Sequence, residues 1–212
     1  MKSLLLIGGG GHCRSCIDVI EAEGKYQIAG IVNHSKGSQE QILGYDVLGD
    51  DEDLPELLKK HTNALITVGQ IKSSDLRVKL FLQLQSLGFK LVTIISPRAY
   101  VSKNASLGIG TIVMHDALVN SGTKIGNNCI LNTKSLVEHD ALVEDHCHIS
   151  TSSVVNGGAI IREKTFIGSN TILKEYITVG KSSVIGGGLR IVSDVPENSW
   201  MNKDKQFKNK NL

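Results

Sequence analysis

The chain has 212 residues, 23 Lys and Arg against 21 Asp and Glu, and a formal charge of +2. That near-balance excludes the bulk electrostatics of nucleic-acid or membrane-surface binding, and the length suffices for two modest cores. No apolar run reaches the ~18 residues of a membrane span, so no such span is expected. The start, MKSLLLIGGGGH, breaks at four glycines with no small-residue cleavage site, so it reads as a first strand in a cytoplasmic protein.

Residues 3–7 form a buried strand, and Gly8 to Gly11 a tight turn into a helix over 12–23. A second strand over 27–32, a helix over 50–61, a third strand over 64–68, a helix from Ser74 or Asp75 to Leu87 and a last strand over 90–95 follow. The acidic first turn and basic last turn of the 50–61 segment suit a helix dipole, and Gly88 suits a helix end. Alternating strands and helices predict a small parallel sheet, a Rossmann-like α/β domain over 1–97. Ser96-Pro97-Arg98 marks its junction.

The glycine loop departs from a dinucleotide fingerprint. Gly8 and Gly10 fit its first two positions, but Cys13 takes the third. Asn33 and His34 stand where a ribose-binding carboxylate belongs. What remains is a glycine-preceded helix N-terminus: a site for a substrate phosphate, or a tight turn with no ligand. Cys13 and Cys16 form a lone C-x-x-C with no second pair, so they read as helix-start thiols rather than a metal or redox site.

From Val101 to Ile191 every sixth residue is aliphatic: Val101, Leu107, Val113, Val119, Ile125, Leu131, Val137, Val143, Ile149, Val155, Ile161, Ile167, Leu173, Val179, Ile185, Ile191. Two places before each, the residue is usually Ala, Ser, Thr or Cys, a register that includes Cys129 and Cys147. The residue after is often Gly or Asn, types that tolerate positive φ, and these are expected to turn the corners. A period of six fits neither helix nor plain strand. It fits a hexapeptide β-helix, with the aliphatic series stacked inside it. The expected architecture is a Rossmann-like α/β domain followed, over 98–195, by a parallel β-helix. A polar tail covers 196–212.

Core packing needs none of the polar residues in ILNTKSLVEHDALVEDHCHIS, residues 130–150. Asn132, Glu138, His139, Asp140, His146 and His148 stand out. His139 and His148 are nine residues apart, on different faces of an 18-residue coil, so they would meet across an interface between prisms. His61, His115 and His146 read as solvated surface residues.

LNT-x-S-L-V-E-H-D followed by H-I-S, with FIGSN and VIGGG later and His12 after the glycine loop, resembles the NeuD/PglD-type sugar acetyltransferases. The resemblance implies a left-handed β-helix of about five coils and a homotrimer with acetyl-CoA between two prisms. It also implies N-acetylation of a nucleotide-linked 4-amino-deoxy sugar in bacterial surface glycan biosynthesis. The alternative is O-acetylation of sialic acid or a related nonulosonic acid. His139 would be the general base, supported by Asp140 or Glu138, with Asn132 positioning the reacting groups. His148 would contact the thioester carbonyl, and Gly157, Gly168 and Gly187 would admit the pantetheine arm. Gly8, Gly10, Gly11, His12 and Asn33 would line the nucleotide-sugar site. The chain departs from the family in lacking its closing Gly-x-Pro-Ala-like turn; Lys203, Lys205, Lys208 and Lys210 would either offer charge to the coenzyme 3′-phosphate in its place or form a disordered tail.

The chemistry is coherent without the resemblance. Acyl transfer to an amine or hydroxyl needs a base near neutrality, a carboxylate to fix its tautomer and a donor for the oxyanion. The donor would be His148 or a backbone N–H. No Ser or Cys nucleophile is required, so direct attack is expected, with no metal. Two other readings compete: a trimeric β-helix zinc enzyme of the γ-carbonic anhydrase kind, for which the histidine spacing is wrong, and a non-catalytic binding module.

Overall fold

A computed structural model describes residues 1–34 and 41–202. The first ninety residues form strands β1 (Lys2–Ile7), β2 (Tyr26–Val32), β3 (Gln41–Ile42), β4 (Tyr45–Gly49), β5 (Asn63–Ile66) and β6 (Lys90–Leu91), with helices α1 (Gly11–Glu23), α2 (Leu54–Leu58) and α3 (Asp75–Leu87). The sheet order is β3-β4-β2-β1-β5-β6; β3 alone runs antiparallel, to β4. β1 lies at the centre of the parallel part, so its LLLI run is buried on both faces. Leu4 and Leu6 pack towards α1, against Cys16, Ile17 and Ile20; Leu5 and Ile7 pack towards α3, against Leu80, Phe81 and Leu84.

Three elements differ from the sequence reading. The β3–β4 hairpin is additional; its short strands carry no long periodic signal. The helix expected over 50–61 is a 3-10 turn at Asp51–Asp53 followed by the five residues of α2. Asp50 caps that turn by accepting from Glu52 N–H, Pro55 sets the start of α2, and His61 is already bonded to the Ser3 hydroxyl of β1. The strand expected over 90–95 is two. β6 closes the first sheet, and Ile94–Ile95 (β7) pairs with Ile112–Val113 of the prism.

Two-residue rungs follow every six residues and stack into parallel ladders of seven, six and five strands, the three walls of a left-handed prism. Partners are 18 residues apart: Ile112 on Ile130 on His148 on Phe166 on Val184. The aliphatic series fills the interior as one core from Val113 to Val195. The prism is longer than the hexad run at both ends. Ile94 packs into the α1 core and Ile95 into the prism core, so one rung serves both domains and the first coil precedes residue 98. At the other end, Trp200–Met201 pairs with Val184–Ile185, so residues 196–201 belong to the prism rather than to a tail. The four tail lysines lie outside the described residues.

The corners correct one expectation. From Leu107 to Ile185 the left-handed residue is the third after each aliphatic position: Gly110, Asp116, Gly122, Asn128, Lys134, Asp140, His146 and onward. The Gly or Asn directly after the aliphatic residue does other work. A Cβ on Gly126 would lie 2.6 Å from Asp145 N, and one on Gly168 2.5 Å from Gly187 N, so these glycines let successive coils stack. Residues of the small register, such as Thr111, Ala117 and Cys129, are buried inside the corners, where the Thr111 hydroxyl donates to Gly126 O.

The domain does not dangle from the prism. Outward-facing Ile112 and Ile130 join Met114 in the core beneath α1. All four cysteines are free and buried, and burial raises each thiol pKa. Packing therefore accounts for Cys13 and Cys16. Among the described residues no helix is long and apolar enough to cross a membrane.

Candidate active site

One wall of the prism organises the site. Its rungs are Tyr100–Val101, Leu118–Val119, Leu136–Val137, Val154–Val155, Ile172–Leu173 and Arg190–Ile191. The second residue of each points inward, so Tyr100, Leu118, Leu136, Val154 and Ile172 form an outward apolar stripe. Tyr100 is 59% and Ile172 44% exposed. The expected site residues flank this stripe on its two opposite edges.

On one edge the chain turns after Val137. Glu138 accepts from Asn120 Nδ2 (2.8 Å) and from the His139 backbone N–H (3.3 Å), which ties the turn to the preceding coil. Asp140 takes the left-handed conformation at φ 58°, and its Oδ2 lies 3.0 Å from His139 Nδ1. Of the two carboxylates considered, Asp140 meets the ring. A proton held on Nδ1 leaves the Nε2 lone pair free. Nε2 lies over Gly157, where a Cβ would come within 2.6 Å of it. The His139 side chain is 54% exposed, open to a ligand. Gly157→Ala should therefore displace the ring and lower kcat by roughly 10–100-fold, with little change in Tm. Steady-state rates beside a thermal melt would check this; an unchanged kcat would mean the glycine matters only for stacking.

The other edge borders a cleft of about 520 Å³ between the prism and the α/β domain. Gly8, Gly10, Gly11, His12 and Asn33 line it from one side, Asn132, His148 and Ser150 from the other. Gly8 has φ 109°, and a Cβ there would meet the Val68 side chain; Gly10 and Gly11 face open space. Gly9 N–H donates to Asn33 Oδ1. The first turn of α1 carries no acidic residue and no side-chain cap, and Gly11 and His12 line the cleft, so the positive end of the helix dipole favours an anion there.

His148 is 6% exposed. Its Nδ1 lies 2.6 Å from the Gln70 carbonyl, which only accepts, so Nδ1 carries the hydrogen. Asn132 Oδ1 accepts from Thr133 N–H, which turns Asn132 Nδ2 towards His148 Nε2 at 3.3 Å. Both neighbours thus demand the same tautomer. Burial pulls the His148 pKa down to about 4, against the Gln70 carbonyl, which favours the charged ring, and with help from the nearby Arg77 charge. Burial, Arg77 and His148 lower His12 to about 3. A neutral His148 in this tautomer has no N–H for a thioester oxyanion. Its one N–H is committed to the Gln70 carbonyl, whereas no hydrogen bond engages Gly157 N–H among the described residues.

A histidine held neutral stabilises the fold above its ordinary pKa of 6.5, and that contribution is lost as pH falls towards about 4. For His148 the loss at pH 5 is on the order of 2 kcal/mol. Denaturant unfolding at pH 7 and pH 5 should show it, and His148→Gln should narrow the difference. Equal narrowing by an exposed-histidine control would refute the attribution.

Gly168 and Gly187 lie on the cleft edge, below Asn132 and Ser150, whereas Gly157 lies on the His139 edge. His139 and His148 have entirely different neighbours. His146, His115 and His61 are engaged rather than solvated. His146 is 8% exposed, packed edge-on against Phe81 and bonded to Asn128. His115 joins Ser96 and Asp18. Among the described residues no three His, Cys, Asp or Glu groups converge as a metal site would need.

Sequence reasoning missed Gln70, Ser150 and Arg77. Arg77 was visible as an anomaly: it takes a buried position of α3 alongside Leu80, Phe81 and Leu84.

Residues 3–82 match the PglD N-terminal domain family. A solved His→Asn variant of perosamine N-acetyltransferase from Caulobacter crescentus, in complex with CoA and GDP-perosamine, is 30% identical. The match covers 94% of this chain and 93% of that one, with a TM-score of 0.88. The acetyltransferase domain of PglB from Neisseria gonorrhoeae, in complex with acetyl coenzyme A, is 31% identical over 92% and 93% of the two chains, with a TM-score of 0.84. WeeI from Acinetobacter baumannii shares the fold at 19% identity, with 96% and 98% coverage and a TM-score of 0.84. No curated protein sequence is significantly similar. The chain therefore belongs to the NeuD/PglD-type sugar acetyltransferases, left-handed β-helix enzymes whose acetyl donor is acetyl-CoA.

Proposed function

We propose that this enzyme acetylates the 4-amino group of a nucleotide-linked amino-deoxy sugar, and that each active site is completed by two subunits of a homotrimer. The observation that carries this is the placement of the two half-sites on opposite edges of one apolar wall. Packing three such walls around an axis parallel to the prisms sets the His139 edge of one subunit against the cleft edge of the next. The apolar stripe supplies the surface that such packing buries.

The cleft suits the acceptor: phosphates against the α1 N-terminus, the base beside Asn33, and the sugar reaching out between Asn132 and His148. The glycines of both edges leave room for the pantetheine arm. The amine must arrive unprotonated. As its nitrogen attacks the thioester carbonyl, His139 Nε2 takes an amine proton and Asp140 stabilises the imidazolium. The Gly157 N–H meets the oxyanion. Collapse breaks the C–S bond, and the proton on His139 goes to the departing thiolate, giving free CoA and the amide.

The amine is preferred to a hydroxyl because the perosamine relative is an N-acetyltransferase in complex with its nucleotide-linked amino sugar. Incubation with acetyl-CoA and GDP-perosamine, or a UDP-linked 4-amino sugar, should release CoA thiol with an acetamido product. Release with sialic acid and with none of the amino sugars would overturn the assignment.

A further inference from the structure

Arg77 is 1% exposed, yet no carboxylate forms an ion pair with it among the described residues. Charged side chains are almost never this buried unless paired. Its guanidinium instead binds three backbone carbonyls of two domains. Nη1 donates to Ile66 O (2.7 Å) and Val68 O (2.8 Å) at the end of β5, and Nε donates to Asn128 O (3.3 Å) at a prism corner. Asn128 returns a bond from Nδ2 to Arg77 O. The segment so pinned runs on through Gly69 to Gln70. The Gln70 side chain donates to His146 O, and its carbonyl takes the His148 Nδ1–H. Arg77 thus holds the turn whose carbonyl sets the tautomer of His148.

We propose that Arg77 is a positioning residue of the acceptor cleft: by fixing the Val68–Gln70 turn it makes His148 present a permanent Nε2 lone pair to a hydrogen-bond donor of the acceptor sugar. His148 then reads the acceptor rather than the thioester. Among the described residues this lone pair meets the 3.3 Å contact from Asn132, which a sugar hydroxyl or amine can displace. A guanidinium suits the task because its forked donors bind several carbonyls at fixed angles, and because its charge opposes protonation of His148. The Nε2 of neutral His148 therefore accepts a bond and cannot donate one at working pH.

The identity of the acceptor rests on the function proposed above; the tautomer does not, so the experiment has two independent arms. In the intact enzyme, nitrogen NMR of labelled histidine should show His148 protonated at Nδ1 and bare at Nε2 from pH 5.5 to 8. A proton on Nε2 would overturn the proposal. In folded Arg77→Gln the signal should become a mixture of tautomers. The KM for GDP-perosamine should rise about tenfold, the effect of one misplaced hydrogen bond, while that for acetyl-CoA stays within about twofold. Arg77→Lys, which keeps the charge but not the fork, should fall between, and it serves as the variant if the glutamine form does not fold. An unchanged tautomer in a folded variant would refute the positioning role. A changed tautomer with unchanged acceptor KM would refute the reading of the sugar. Failure of wild type to use any amino sugar would sink the proposed acceptor and leave the spectroscopic result standing.

Discussion

Replacing His139 by alanine should lower kcat by about 10²–10⁴-fold while leaving the KM for acetyl-CoA nearly unchanged. The base acts in the transition state, whereas the coenzyme is held by surfaces that the ring does not form. Asp140→Asn should lower kcat less, by about 10–100-fold, because the amide weakens the tautomer preference without removing the ring. The truncated side chain leaves space above Gly157, so millimolar imidazole should restore part of the lost rate. Thiol release followed across these variants is the measurement. A His139→Ala enzyme at wild-type rate would remove the base from this corner.

The second large effect concerns subunits. His139→Ala and His148→Ala trimers should each be strongly impaired. Mixed and reassembled, they should recover about a quarter of the wild-type rate, because random assembly unites an intact His139 edge with an intact cleft edge in that share of interfaces. No such recovery is possible if both halves of a site come from one chain. Leu136→Arg, which sets a charge in the apolar stripe, should yield folded monomers lacking activity; sedimentation would report the first and thiol release the second. Active monomers would refute the shared site.

The prism was legible because every coil repeats one physical demand. An inward side chain every six residues must be aliphatic, and each corner interior must be small, so Val101 through Ile191 announce the ladder before any coordinates. The same regularity marked the candidate site, since the interior ladder makes no use of Asn132, Glu138, His139, Asp140 or His148. The corner glycines were legible as a pattern but not in cause. Gly126 and Gly168 look like turn residues in sequence, yet they serve the approach of the next coil.

The α/β domain was legible in outline because its central strands and α1 and α3 carry strong apolar patterns. The end rungs were less so. Ile95 lies one period before Val101, but it falls inside a segment that also reads as the last strand of the α/β domain, and Trp200–Met201 is out of phase with the repeat and joins the prism through backbone pairing alone. The roles of the polar residues were still less visible. His146 and His148 sit two residues apart in similar surroundings of sequence. Only the fold places one against Phe81 and Asn128 and the other in a cleft with Gln70, because those partners come from 18 to 78 positions away.

What the sequence determined by itself was the prism and the family to which the chain belongs. Such features follow from short-range repetition and from side-chain type. What only the tertiary structure decided was the division of labour. It set His139 and His148 on opposite edges of one apolar face, matched Asp140 rather than Glu138 to the ring, and put a buried arginine behind the turn that sets the His148 tautomer. Those outcomes depend on which carbonyl or carboxylate arrives within 3 Å of a ring nitrogen, and that distance is written by the packing of distant segments.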